Sequence, residues 1–286
     1  MKRRLPYYLM ALPAAVFFFI FHTYAALQGI FYSFTNWQGF GKYHFVGFKN
    51  YMNLFQDSQV LHSYLFTLQF AIVTVILTNV ISLIVALGLN ANVKLRQTLR
   101  AIYFLPNILS IIIVSYIFNY IFAYLAPDTA QHLGLTHLAV NILGNPNWAW
   151  VGIAIVAIWQ AVAFNTILYL AGLQTIPSDV YEAAGIDGAR GFRKFWAITF
   201  PLIAPFFTIN LVLASTNFLQ VFDQIVALTG GGPGDATESI TWLIYNNGFS
   251  GGQFAYQSAN AVIFMIFLVL VALIQIRLLQ KREVQM

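Results

Sequence analysis

The stretch YEAAGIDGARGFRKFWAITFP, positions 181–201, gathers five charges in a chain whose charged residues make up only 8% of the whole. Glu182, Ala183, Ala184, Gly188 and Arg190 supply a carboxylate, a small close-packing surface, a turn and a cation. That equipment fits a cleft on another protein, or equally an interfacial helix whose basic residues merely hold orientation, and breaks no bonds. A second set, Asn165, Asn217, Phe218, Gln220, Asp223 and Gln224, places polar groups and a ring inside otherwise apolar segments. On a continuous helix Asn217, Gln220 and Gln224 share one face at i, i+3 and i+7. That face suits hydrogen bonding to a hydroxyl-bearing solute, and helix-to-helix hydrogen bonding is the competing use of the same groups. Trp159, Phe218 and Phe222 can likewise stack on a ligand ring or serve as ordinary packing.

Catalytic chemistry finds no constellation here, because no nucleophile, His and acid are gathered in a motif. With no cysteine, a disulfide, a thiolate metal site and a cysteine nucleophile are excluded, and the five His are irregularly spaced. TGGGPG, positions 229–234, lacks the Lys and Ser or Thr that a phosphate loop requires after its last glycine, and reads as a helix stop with a tight turn.

The elements that must position these residues are membrane helices. The 286 residues are 59% hydrophobic with a mean hydropathy of +0.73, far from soluble averages. Windows free of Asp, Glu, Lys and Arg cover 5–41, 58–93, 101–127, 129–178, 195–222 and 239–276. Placing one helix in each predicts an all-α polytopic membrane protein, a single domain over 1–286, with spans near 8–34, 64–89, 101–124, 151–174, 201–228 and 256–279. The segment AQHLGLTHLAVNILGNPN is broken by His, Gly, Asn and Pro and is expected to be an outer loop. The first apolar run follows a basic start but exceeds an ordinary signal-peptide core, so it is expected to be an uncleaved helix.

Orientation follows from the basic residues. Lys2, Arg3, Arg4, Lys94, Arg96, Arg100, Arg190, Arg193, Lys194, Arg277, Lys281 and Arg282 flank one side, and only Lys42 and Lys49 the other. Both termini are therefore expected in the cytoplasm, together with the loop over 177–200. This explains the net charge of +5 without nucleic acid, for which there is no basic stripe. In that loop Pro177 and Ser178 read as a helix start, with Asp179 and Glu182 near its positive end. Gly185 and Gly188 read as the bend, and Phe192, Phe195 and Trp196 as the apolar stripe of a second short helix.

On these residues the loop resembles the EAA loop of ABC importer permeases: Glu-Ala-Ala at Glu182, Ala183 and Ala184, three residues to Gly188, then Ile198, Thr199, Phe200 and Pro201, with Phe200 where Leu is usual. NFLQVFDQIVALTGGGPGDATESI at 217–240 and YFLPNILS at 103–110 resemble permeases of the maltose and glycerol-phosphate type, without the extra N-terminal spans and large outer domain of the maltose permease. The resemblance covers nearly the whole chain. It implies the type I ABC importer permease fold and a bacterial inner-membrane carbohydrate importer. The implied partners are a second permease, two ATPase subunits that carry the ATP and Mg, and an extracytoplasmic sugar-binding protein, with no cofactor on this chain. It also implies that Glu182 is the polar docking contact, Ala183 and Ala184 the packing surface and Gly188 the turn. An ion-coupled carrier is the rival reading; it needs coupling carboxylates within its spans, where Asp223 is the sole candidate, and commonly an inverted repeat.

Overall fold

Hydrocarbon offers no partner to a backbone amide, so apolar stretches of this length must satisfy their hydrogen bonds internally, as helices. The computed structural model describes residues 5–91, 94–135 and 139–280; Lys2, Arg3, Arg4, Lys281 and Arg282 lie outside them. In chain order the α-helices are α1 (Leu5–Phe18), α2 (Ala25–Tyr32), α3 (Lys49–Leu54), α4 (Ser58–Asn90), α5 (Arg96–Ile108), α6 (Ile111–Tyr120), α7 (Ala126–His132), α8 (Ala149–Gln174), α9 (Ser178–Ile186), α10 (Gly191–Lys194), α11 (Phe200–Leu202), α12 (Ala204–Leu219), α13 (Asp223–Leu228), α14 (Ile240–Tyr245) and α15 (Phe254–Gln280). Among the described residues there is no strand, only an isolated bridge between Thr35 and Phe45.

Among the described residues, five continuous helical stretches are long and apolar enough to cross a membrane: Met10–Tyr32, Ser58–Asn90, Ile111–His132, Ala149–Gln174 and Phe254–Leu279. A sixth exists when Gly191–Leu202 and Ala204–Leu219, bent by 72° at Ile203, are counted together. Pro205 directly after the bend has no N–H to extend the preceding helix. Just before it, the turn over Phe195–Thr199 widens to π geometry ahead of Pro201.

Two boundaries differ from the sequence expectation. The third span does not run unbroken from 101: the helix stops at Leu109, which is extended and lies three residues after Pro106 interrupts the donor ladder, and it restarts at Ile111. It then continues to His132, past the expected end near 124 and into the outer loop expected from Ala130 onward. The fifth span is not continuous to Leu228 either; it breaks over Gln220–Phe222 and restarts as α13.

The chain divides into two compact units. One holds the described residues up to Leu61 with Leu243–Phe267, the other the described residues of His62–Trp242 and those from Leu268 onward. In the first, Asn50 Nδ2 donates to the carbonyls of Ser33 and Thr35 at 2.8 Å each, and Trp37 stacks on Tyr32 at 4.1 Å. Asp57 receives Tyr256 Oη at 2.8 Å and the amide of Gln59 at 3.0 Å, which caps the start of α4.

In the second unit α8 is the central helix, with α5, α6, α12 and α13 all packed against it. Burial in lipid gains no water release, so close approach and hydrogen bonds decide which helices pair. The buried residues of α8 accordingly include Ala149, Gly152, Ala154, Ala157, Ala163 and Gly172. A methyl group on Gly172 would stand 2.6 Å from the Phe206 ring, so only glycine lets α12 come this near. Tyr169, fully buried, donates its hydroxyl to Asn79 Oδ1 at 2.7 Å and pins α8 to α4. Around it Ala86, Leu89, Leu170, Leu173, Ile176 and Ile203 form an apolar cluster.

Candidate functional site

The hairpin over 177–200 rests on that cluster. Val180 and Tyr181 of α9 pack against it, and Ala184 is only 5% exposed. The opposite face of α9 carries Asp179, Glu182, Ala183 and Ile186, spaced i, i+3, i+4 and i+7, all exposed. Ile186 is 89% exposed, an unusual state for isoleucine beside a packed helix. The structure thus separates the two alanines expected to share one surface. Ala183 points outward, whereas Ala184 is turned inward because it falls on the same face as Val180 and Tyr181.

The helix ends as a glycine-closed cap. Ala189 N donates to Ala184 O at 2.9 Å and Gly188 N to Gly185 O at 3.2 Å, with Gly188 at φ +74°. Gly188 therefore makes the turn, joined by Gly191 at φ +53°, while Gly185 stays helical and takes no part in the bend. Ser178 does not cap either. Pro177 occupies that position, and Ser178 Oγ bonds Asp179 Oδ1 at 3.3 Å.

The second arm folds back on the first. Lys194 Nζ lies 4.3 Å from the Tyr181 ring centroid, and Tyr181 Oη is 3.3 Å from Thr199 Oγ1. Arg190 is exposed in extended backbone just ahead of α10, and Phe192 stacks edge-on to Trp196 at 5.9 Å while remaining 78% exposed. Two carboxylates, a methyl and two naked apolar side chains thus project from a braced hairpin. Sequence reasoning missed Ile186; its place four residues after Glu182 on an amphipathic helix was the available signal.

The second site is a cavity of about 380 Å³ within the second unit. One wall is a single face of α8, Ala157, Gln160, Ala161, Phe164 and Asn165, at i, i+3, i+4, i+7 and i+8. A second wall is the break between α5 and α6, presenting Asn107, Leu109 and Ile111. The third is the end of α12 and the break after it: Asn217, Phe218 and Gln220, then Val221, Phe222, Asp223 and Gln224. All six sequence-predicted residues of this set therefore meet around one space. They do so for a different reason than expected, since Asn217, Gln220 and Gln224 do not share an unbroken helix. Trp159 lies elsewhere, packed on Phe118 at 5.4 Å, and Phe164 takes a place at the cavity instead.

Both breaks are chemically supported, as non-helical backbone among apolar helices must be. At the break after α12, Val221 O accepts from Ser239 Oγ at 2.9 Å and Thr241 Oγ1 at 2.6 Å; at the far end of α13, Leu228 O accepts from Asn119 Nδ2 at 2.8 Å. At the other break Gln160 Nε2 donates to the carbonyls of Pro106 and Leu109, each at 3.5 Å. Gln160 and Asn107 were missed by sequence reasoning: a lone Gln within a span and an Asn after a Pro become informative only once the breaks are seen to meet there.

The turn after α13 is built by TGGGPG as expected. Gly230 N donates to Ile225 O at 2.8 Å, and Gly230, Gly231 and Gly234 all have positive φ. Glu238 beyond it is 3% exposed and accepts from Ser63 Oγ at 3.3 Å, while Thr67 Oγ1 accepts from Ile240 N at 3.0 Å, which ties this segment to α4. A wider hollow of about 570 Å³ in the first unit, beside Trp37 and Asp57, holds none of the predicted residues.

Comparison with known proteins agrees with this architecture. Residues 78–285 match the family described as binding-protein-dependent transport system inner membrane component. The chain is 39% identical over 266 residues to the multiple sugar-binding transport system permease protein MsmF of Streptococcus mutans, covering 93% of this chain and 92% of that one. It is 34% identical over 283 residues to the sn-glycerol-3-phosphate transport system permease protein UgpA of Brucella abortus, covering 97% and 95%. The crystal structure of a bacterial ABC transporter involved in import of the acidic polysaccharide alginate superposes with a TM-score of 0.85 at 25% identity, covering 98% of this chain and 96% of its own. The helix-break cavity and the braced hairpin are therefore features of a membrane transport subunit, and this chain belongs to the family of binding-protein-dependent transport system inner membrane components.

Proposed function

We propose that this chain is the permease subunit of an ATP-driven carbohydrate importer in a bacterial inner membrane. With a second permease it forms the pathway for a sugar or oligosaccharide handed over by an extracytoplasmic binding protein. Two ATPase subunits supply the energy on the cytoplasmic side, where ATP and Mg are bound, and this chain hydrolyses nothing itself. The observation that carries the coupling half of this reading is the exposed face of α9, Asp179, Glu182, Ala183 and Ile186, on a helix whose other face grips the cluster of α4, α8 and Ile203. A push on that face is delivered to the helices that wall the cavity. Glu182 and Ile186 are the docking contacts, Ala183 allows close approach, Gly188 sets the angle of the arms and Arg190 lies at the hinge. Asn165, Asn217, Phe218, Gln220, Asp223 and Gln224 line the pathway.

The chain lacks cysteine, so Ile186→Cys introduces one thiol at a highly exposed position. A membrane-impermeant thiol reagent is expected to label it in broken cells and leave it untouched in intact ones; labelling of intact cells would invert the topology and end this reading. Uptake that survives deletion of the ATPase partner but collapses with a proton ionophore would establish the ion-coupled carrier in its place.

A further inference from the structure

Resting on the pathway reading above, we infer that the cavity beside α8 admits an uncharged, hydroxyl-bearing carbohydrate and discriminates against phosphorylated and uronic forms. Six carboxamides line it, from Asn107, Gln160, Asn165, Asn217, Gln220 and Gln224, with the carboxylate of Asp223 as the one acidic group. No Lys, Arg or His lines it among the described residues. An anion brought into such a space leaves water without gaining a counter-charge, which disfavours its entry. The carboxylate adds repulsion.

The hydrogen-bond inventory argues the same way from independent atoms. Gln160 and Asn165 are 8% and 4% exposed, and both spend their amide donors on backbone carbonyls, Asn165 Nδ2 on Ala161 O at 2.8 Å. An anion at this wall therefore finds those donors already engaged. Sugar hydroxyls donate and accept, whereas ionised phosphate and carboxylate oxygens only accept.

The absence of cysteine makes the preference measurable without knowing the sugar. Gln220→Cys, with Asn217→Cys as a second variant should the first not co-purify with its partner subunits, is reacted in the assembled transporter with neutral 2-hydroxyethyl, anionic 2-sulfonatoethyl and cationic 2-trimethylammonioethyl methanethiosulfonate. Labelling is read on this chain by mass and normalised to the rates with a free thiol in solution. The anionic reagent is expected to be at least about tenfold slower than the neutral one, and Asp223→Asn to narrow the gap. Equal normalised rates, a faster anionic reagent, or protection of the thiol by glycerol 3-phosphate or a uronate trisaccharide would overturn the inference and leave the pathway reading standing. If no reagent reaches either thiol, with or without ATP turnover, the pathway reading falls and this inference falls with it.

Discussion

The hairpin and the cavity solve opposite problems with different polar residues. The hairpin is a local object. Its two arms lie within 24 residues of sequence, one face grips its own chain, and the other leaves Glu182, Ala183 and Ile186 bare. The cavity is assembled from three distant segments, around 107–111, 157–165 and 217–224, and has no meaning in any one of them. The first demands turn chemistry and an amphipathic helix; the second demands that two helices be broken where they face a third. Damage to the first should therefore remove coupling and spare the fold, whereas damage to the second should cost stability and transport together.

The largest expected effect separates the two most cleanly. Glu182→Lys reverses a charge on the outward face of α9, and uptake should fall at least about tenfold while membrane insertion and thermal unfolding in detergent stay as they were. A matching loss of thermal stability would return Glu182 to a structural role. Next, Gln160→Ala removes the donor that serves the Pro106 and Leu109 carbonyls. Buried groups left unpaired cost about 1–3 kcal/mol, so unfolding temperature and uptake should drop together; loss of uptake alone would mean that the break needs no such support.

Tyr169→Phe deletes the hydroxyl that bonds Asn79 and is expected to cost about 1 kcal/mol, seen as a lower unfolding temperature with little change in uptake. The smallest contrast lies within the hairpin. Gly188 at φ +74° pays strain for any side chain, about 1–2 kcal/mol, whereas Gly185 is helical with nothing within 4 Å of an added methyl. Gly185→Ala should therefore slow amide hydrogen exchange in α9 about two- to fivefold, and Gly188→Val should accelerate it. Equal responses would erase the distinction between helix glycine and cap glycine.

Much of the hairpin was legible because its determinants are close in sequence. Five charges in a chain of oil, Gly188 at the right distance after an alanine pair, and Phe192 with Trp196 at helical spacing all report on local geometry. Ala184 was not, since whether a small residue faces its own chain or a partner depends on where Val180 and Tyr181 find their apolar cluster. The cavity was legible in composition and illegible in mechanism. Polar residues in apolar spans are costly enough to flag themselves, which singled out Asn165, Asn217, Gln220, Asp223 and Gln224. The reason they meet, two breaks facing α8, was hidden because a helix-period argument presumes that the helix continues.

Charge exclusion and apolar length by themselves determined that the chain is helical and membrane-embedded, and turn residues determined where the hairpin bends, because hydrocarbon and backbone sterics act on short segments without reference to the rest. Tertiary structure alone decided where α5 and α12 end, which alanine faces inward, and that six amides surround one space. An interrupted helix is tolerable only when side chains from remote positions, here Gln160, Ser239 and Thr241, take up the carbonyls that the break sets free.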